Sequence, residues 1–154
     1  MKSGRWSNLP TCRGIMTYSK EIIDNTEAAL EDLRARFPTQ WRPLIGCDIG
    51  WDNLLMDLRN ALVVIDPDFE IAQIKEKFGG LRFYATPGSE LSEEEIKKFF
   101  GIIRDAENLS FTICERTGGP GVLMRKIGGG WLKTLDSSLP GVSEQWMEWS
   151  NDDK

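Results

Sequence analysis

The side chains able to do chemistry are few. Cysteine occurs three times, at positions 12, 47 and 114, and histidine not at all. Without an imidazole the chain has no histidine base, no histidine relay to a nucleophile and no histidine metal ligand, which removes most hydrolase chemistries. Cys114 stands next to Glu115 with no group to activate it, so it reads as an inert thiol. Three widely spaced cysteines do not form a secreted disulfide framework; they suit free thiols in a reducing compartment, and the chain is expected in the cytoplasm. Gly128-Gly129-Gly130 runs into Trp131 and a strand, not into Lys-Ser/Thr and a helix, so it is no phosphate loop. Carboxylate pairs such as Asp66 with Asp68, or Asp152 with Asp153, belong to turns and tails. No catalytic residue, metal or cofactor is expected from this inventory.

Residues with a claim on a partner gather in one segment. Between Ala72 and Ala85 the pair Gly79-Gly80 supplies the positive φ angles of a two-residue hairpin turn. With Phe78 facing Leu81 across that turn, Ile74, Glu76, Phe78, Leu81, Phe83 and Ala85 share a core face. Gln73, Lys75, Lys77, Arg82 and Tyr84 share the solvent face, where basic and aromatic side chains suit phosphates and stacked bases as well as a protein surface. Glu76 is a carboxylate on the apolar face; it needs a basic or backbone donor, or it is a functional acid paired with Arg82 in a polar pocket. Trp146 and Trp149 are the other candidates, either docked on the domain or offered to a partner.

The elements that must position these residues are legible in part. Ile22, Ile23, Thr26, Ala29, Leu30, Leu33 and Phe37 recur at helical steps between an N-cap at Ser19 and the stop at Pro38. Pro38 to Pro43 is a stiff connection whose Trp41 covers a core edge. Trp51, Leu54, Leu55, Leu58, Leu62 and Ile65 trace a second helix ending at Asp66-Pro67. Ser92 and Glu95 write a capping box with Leu91 and Ile96 as its staple, opening a third helix that runs through Phe99, Ile103 and Ala106 to Ser110. Short β-like runs follow, Phe111 to Arg116, Val122 to Ile127 and Trp131 to Leu135, separated by glycine-rich turns.

Two of these stretches carry a resemblance. Gln73-Ile74-Lys75-Glu76-Lys77-Phe78-Gly79-Gly80-Leu81-Arg82-Phe83-Tyr84, preceded by a Gly-Trp helix start and followed by Ala106-Glu107-Asn108-Leu109-Ser110, resembles a widespread set of uncharacterised small proteins of bacteriophages, prophages and bacterial genomes. That family continues into a zinc ribbon, approximately C-x-x-C-G-x-P-G and then G-W-x-x-T-x-C-x-x-C. The same frame here runs from Cys114 through Gly118-Gly119-Pro120-Gly121 to Gly130-Trp131-Leu132-Lys133-Thr134-Leu135-Asp136, over a resemblance that spans roughly residues 36 to 139. The frame's ligand positions hold Cys114, Thr117, Asp136 and Leu139, which cannot supply the four sulfur or nitrogen ligands of structural zinc. The resemblance thus implies a metal-free ribbon, held by packing of Leu139, Leu135, Ile113 and Trp131 in place of a metal.

Composition agrees with a folded chain: 154 residues, 40% apolar and 28% charged, long enough to bury a core without metal or disulfide. No window approaches the roughly 18 apolar residues of a membrane span, so no membrane partner is expected. The net charge of −5 argues against long-range attraction to nucleic acid and for a basic protein partner. The organisation expected is a flexible N-terminal extension at 1–15, in which either an upstream start or an arm precedes Met16, a single α+β domain at 16–140 with its ribbon-like part at 111–140, and an acidic, tryptophan-containing tail at 141–154. The fold class expected is α+β, a β-hairpin packed by amphipathic helices and followed by a metal-free, zinc-ribbon-like set of short strands. The function expected is that of a non-catalytic protein-binding module, an accessory protein of a mobile element such as an immunity protein or an inhibitor of a host defence factor. The alternative is a nucleic-acid-associated factor acting through the basic hairpin face.

Overall fold

The computed structural model describes residues 20–38 and 44–150. The extension at 1–15, Cys12, Met16, the N-cap Ser19, Trp41 and the acidic end at 151–154 lie outside the described residues.

The chain is α+β, built from helices α1 (Lys20–Ala35), α2 (Asp52–Ile65) and α3 (Glu93–Ser110) around a sheet of β1 (Ile45–Gly46), β2 (Glu70–Lys77) and β3 (Gly80–Thr86). A second sheet joins β4 (Val122–Lys126), β5 (Leu132–Leu135) and β6 (Trp146–Glu148), the last preceded by a short helix α4 (Val142–Gln145). The strand orders are β1-β2-β3 and β5-β4-β6, with only the β1–β2 pair parallel. No described helix is long and apolar enough to cross a membrane.

Each long helix follows from its apolar period. Leu54, Leu55, Leu58 and Leu62 of α2 are buried against Leu30 and Leu33 of α1, against Phe99, Ile103 and Ala106 of α3, and against Ile71, Ile74, Leu81 and Phe83 of the hairpin. At the start of α3 the Ser92 hydroxyl accepts from the Glu95 N–H, and the Glu95 carboxylate accepts from the Ser92 N–H, as the capping box requires. At the end of α2 the buried Asp66 carboxylate takes the N–H groups of Asp68 and Gly88, so the Asp66–Asp68 pair is a turn device.

Several expectations are corrected. The hairpin turn is Phe78-Gly79, not Gly79-Gly80: Lys77 pairs with Gly80 and Glu76 with Leu81. Shifting the turn by one residue leaves the faces intact, because each strand position keeps its parity, but it moves Phe78 from the core face to an exposed tip. Within the expected tail, residues 142–148 are part of the fold, since β6 completes the second sheet and Trp146 belongs to a second core with Cys114, Met124, Leu135 and Val142. Leu139 packs against that core as expected; Ile113 packs against the first core instead, and Trp131 is 69% exposed. The expected strand Phe111 to Arg116 is a turn with a single bridge, Ile113 to Pro120.

Candidate functional site

The hairpin tip is held from both sides. Phe78 has φ 54° and Gly79 φ 82°, the left-handed pair of a primed two-residue turn. The left-handed φ of Gly79 favours glycine, a side chain there would push against Leu123 Cδ1, and its carbonyl accepts from the Thr134 hydroxyl at 2.8 Å. Glu76 finds the backbone donor its position calls for, accepting from the Gly79 N–H at 2.7 Å. It lies on the Leu81 face while Arg82 pairs with Lys75 on the other, so Glu76 and Arg82 cannot line one pocket.

On the outer face the expected set is brought together. Lys75 stands opposite Arg82 and Gln73 opposite Tyr84, and the Lys75 ammonium lies 5.8 Å from the Tyr84 ring. Lys77 lies 5.2 Å from the ring of Phe78, which is 62% exposed. The free edge of β3 is closed by α3: the Leu81 N–H donates to Ser110 Oγ, and the Phe83 N–H to Glu107 Oε1. Beside it, a groove of about 350 Å³ is lined by Tyr84, Phe100, Arg104 and Glu107. Trp146 is taken into the core, the docked of its two readings, and is removed from the binding set; Trp149 is half-buried, its backbone N–H donating to the Leu123 carbonyl.

Beneath the tip a polar junction joins the two sheets. Glu115, 1% exposed, accepts from Lys133 Nζ at 3.0 Å and from the Asp48 N–H at 3.2 Å. Burial pushes the Glu115 carboxyl above its ordinary value, against the pull of Lys133. For Lys133, burial works downward, but Glu115, Asp48 and Glu76 outweigh it and hold the ammonium above its ordinary value. Cys47 lies beside this junction, and burial, with the charges of Glu115, Asp52 and Asp48, pushes its thiol up to about 12. A thiol so placed stays protonated near neutrality and is no nucleophile. The indole N–H of Trp51 donates to the Ile113 carbonyl at 2.9 Å, and the Gly50 N–H to that of Glu115 at 2.8 Å. The junction is a structural clamp. Sequence reasoning missed it because Asp48, Glu115 and Lys133 are up to 85 positions apart.

A separate cleft of about 450 Å³ opens between α1, the start of α2 and the loop at 116–118, lined by Glu27, Arg34, Asp52 and Arg116. None of the predicted binding residues reaches it. Among the described residues no group of three or more Cys, Asp or Glu is placed to hold a metal ion. Of the frame positions, Cys114 and Leu139 lie in the second core, whereas Asp136 Oδ1 accepts from the Ser138 N–H and hydroxyl. No family model, no curated protein and no solved structure matches the chain.

Proposed function

We propose that this chain is a non-catalytic protein-binding module that engages its partner through the tip and outer face of the β2–β3 hairpin. The observation that carries the reading is Phe78. A primed turn of this kind favours Asn-Gly, yet the first position holds a bulky aromatic at φ 54° with its ring turned to solvent. A left-handed Phe costs about 1–2 kcal/mol; the docking of Gly79 fixes the turn at this position but does not call for an aromatic at its first residue, and such strain marks a recognition position. Lys75, Lys77, Arg82 and Tyr84 flank it, so the contacting surface of the partner carries acidic groups even though the chain as a whole is acidic. The resemblance to small phage and prophage proteins supports a mobile-element accessory role, such as an immunity protein or an inhibitor of a host defence factor.

Affinity capture from cell lysate with the wild-type chain and with Phe78→Asn tests the reading. A protein retained by the first and released by the second supports it; no protein retained at low salt sinks it. A second reading, a nucleic-acid-associated factor, is favoured by the opposed Lys75 and Arg82 beside the exposed Tyr84. Oligonucleotide titration across a salt series separates the two, because phosphate contacts give a steep salt slope.

A further inference from the structure

The second sheet has one face packed and one face half open. Register places Met124, Leu135 and Trp146 toward the second core, and Leu123, Arg125, Leu132, Thr134 and Met147 on the opposite side. The hairpin tip sits on only one end of that second face, where Gly79 meets Leu123 and Thr134. At the other end Arg125, Leu132 and Met147 remain partly exposed, with Met147 at 43%.

Arg125 is the anomaly there. Among the described residues its buried Nε has no hydrogen-bond partner, and the bond its Nη2 makes is to the thioether of Met147, at 3.6 Å. A buried donor without an acceptor is costly, and a thioether is a weak acceptor on a flexible side chain that moves aside easily. Nε and Nη2 together are the edge of the guanidinium that takes a carboxylate in two parallel hydrogen bonds. Leu132 and Met147 supply apolar surface on the strands at either side of Arg125.

We propose that this end of the second sheet, centred on Arg125, is a docking site for a protein segment in which one acidic residue is flanked by apolar ones. The carboxylate displaces the Met147 sulfur and pairs with Nε and Nη2, while the apolar neighbours pack on Leu132 and Met147. The inference rests on the protein-binding reading and names the chemistry of the partner at a second surface.

The test is a titration of the full chain, followed by the Arg Nε–H and Met methyl resonances, with blocked peptides of sequence Leu-Leu-Glu-Leu-Leu and Leu-Leu-Gln-Leu-Leu. Saturable shifts at Arg125 and Met147 with the first peptide, weakened about tenfold or more with the second, are expected. Read at the Met147 methyl, Arg125→Gln abolishes the shift, and Arg125→Lys, which keeps the charge but not the fork, weakens binding by a similar factor. Shifts confined to the Arg82 Nε–H, on the hairpin's outer face, overturn this inference and leave the hairpin reading standing. Shifts at Arg125 on dilution of the chain alone assign the face to self-association and overturn it as well. Absence of saturable shifts at Arg125 with either peptide also overturns it, while capture of a Phe78-dependent partner separately decides the hairpin reading.

Discussion

The Glu115 carboxylate meets the Lys133 ammonium at 3.0 Å, with Glu115 1% and Lys133 21% exposed, and this pair closes the seam between the loop after α3 and the strand β5. Removing one partner of such a pair leaves the other charge buried, which costs far more than the pair itself contributes. Lys133→Met is therefore expected to lower stability by about 3 kcal/mol, the lower end of that range because Lys133 keeps some solvent contact. The deficit should shrink on acidification, since a protonated Glu115 needs no counter-charge. Urea unfolding of both chains at neutral and acid pH measures it; an equal deficit at both would show that Glu115 is not the group left unpaired.

Cys47 gives the alkaline limb of stability. Its folded-state pKa is raised from the ordinary 9.0 to about 12, so the folded state holds the proton longer than the unfolded state. Stability from this group is fully present below 9.0 and is lost as pH rises toward about 12. Lys133, also raised, acts in the same direction above the ordinary 10.5 of a lysine. Cys47→Ala should flatten the loss over that window in unfolding experiments. The same thiol should react with a thiol reagent near neutrality at least about a hundredfold more slowly than a free cysteine. Rapid labelling of Cys47 would contradict the burial described.

Gly50 is a point of backbone approach. A Cβ there would fall 2.3 Å from the carbonyl oxygens of both Cys114 and Glu115, with no flexible side chain to give way. Gly50→Ala is expected to cost about 3 kcal/mol, the upper end of overpacking. It should also expose Trp51, whose indole N–H bonds the Ile113 carbonyl on the same seam. Calorimetry together with the Trp51 fluorescence maximum follows both effects.

Ser110 is buried at the end of α3 and accepts the Leu81 N–H at 2.9 Å while donating to the Glu107 carbonyl. Ser110→Ala leaves a buried strand N–H without an acceptor, at a cost of about 1–3 kcal/mol. Hydrogen exchange at Leu81 should accelerate selectively, whereas a purely global loss would raise exchange throughout the hairpin.

Phe78→Asn creates the preferred dipeptide for the turn and removes the left-handed aromatic, so a gain of about 1 kcal/mol is expected. Binding should move the other way. A variant more stable and equally competent in partner capture would show that Phe78 serves neither purpose.

Local signals account for what was legible. The capping box at Ser92, the apolar period of Leu54 to Leu62 and the proline after Asp66 each act within a few residues, and α2 and α3 end where they say. The two faces of the hairpin were legible for the same reason: alternation survives a turn shifted by one residue, so Lys75, Arg82 and Tyr84 stand on the outer face in either register. The turn itself was misplaced because Gly79-Gly80 is the stronger dipeptide signal, and only the docking of Gly79 on Leu123 and Thr134 puts Phe78 into the turn. The two-residue β1, the return strand β6 and the exposure of Trp131 carry no comparable local pattern, since each depends on which surface lies opposite.

The sequence by itself determined the fold class, the three long helices, the hairpin and its basic outer face, because these rest on periodicity and capping between near neighbours. The tertiary structure alone decided the rest. It sent Trp146 into a second core, joined Asp48, Glu115 and Lys133 into one clamp, and left Arg125 Nε without an acceptor among the described residues. Each of those outcomes depends on contacts between residues far apart in the chain, where burial and unmet hydrogen bonds have meaning only after the surfaces have met.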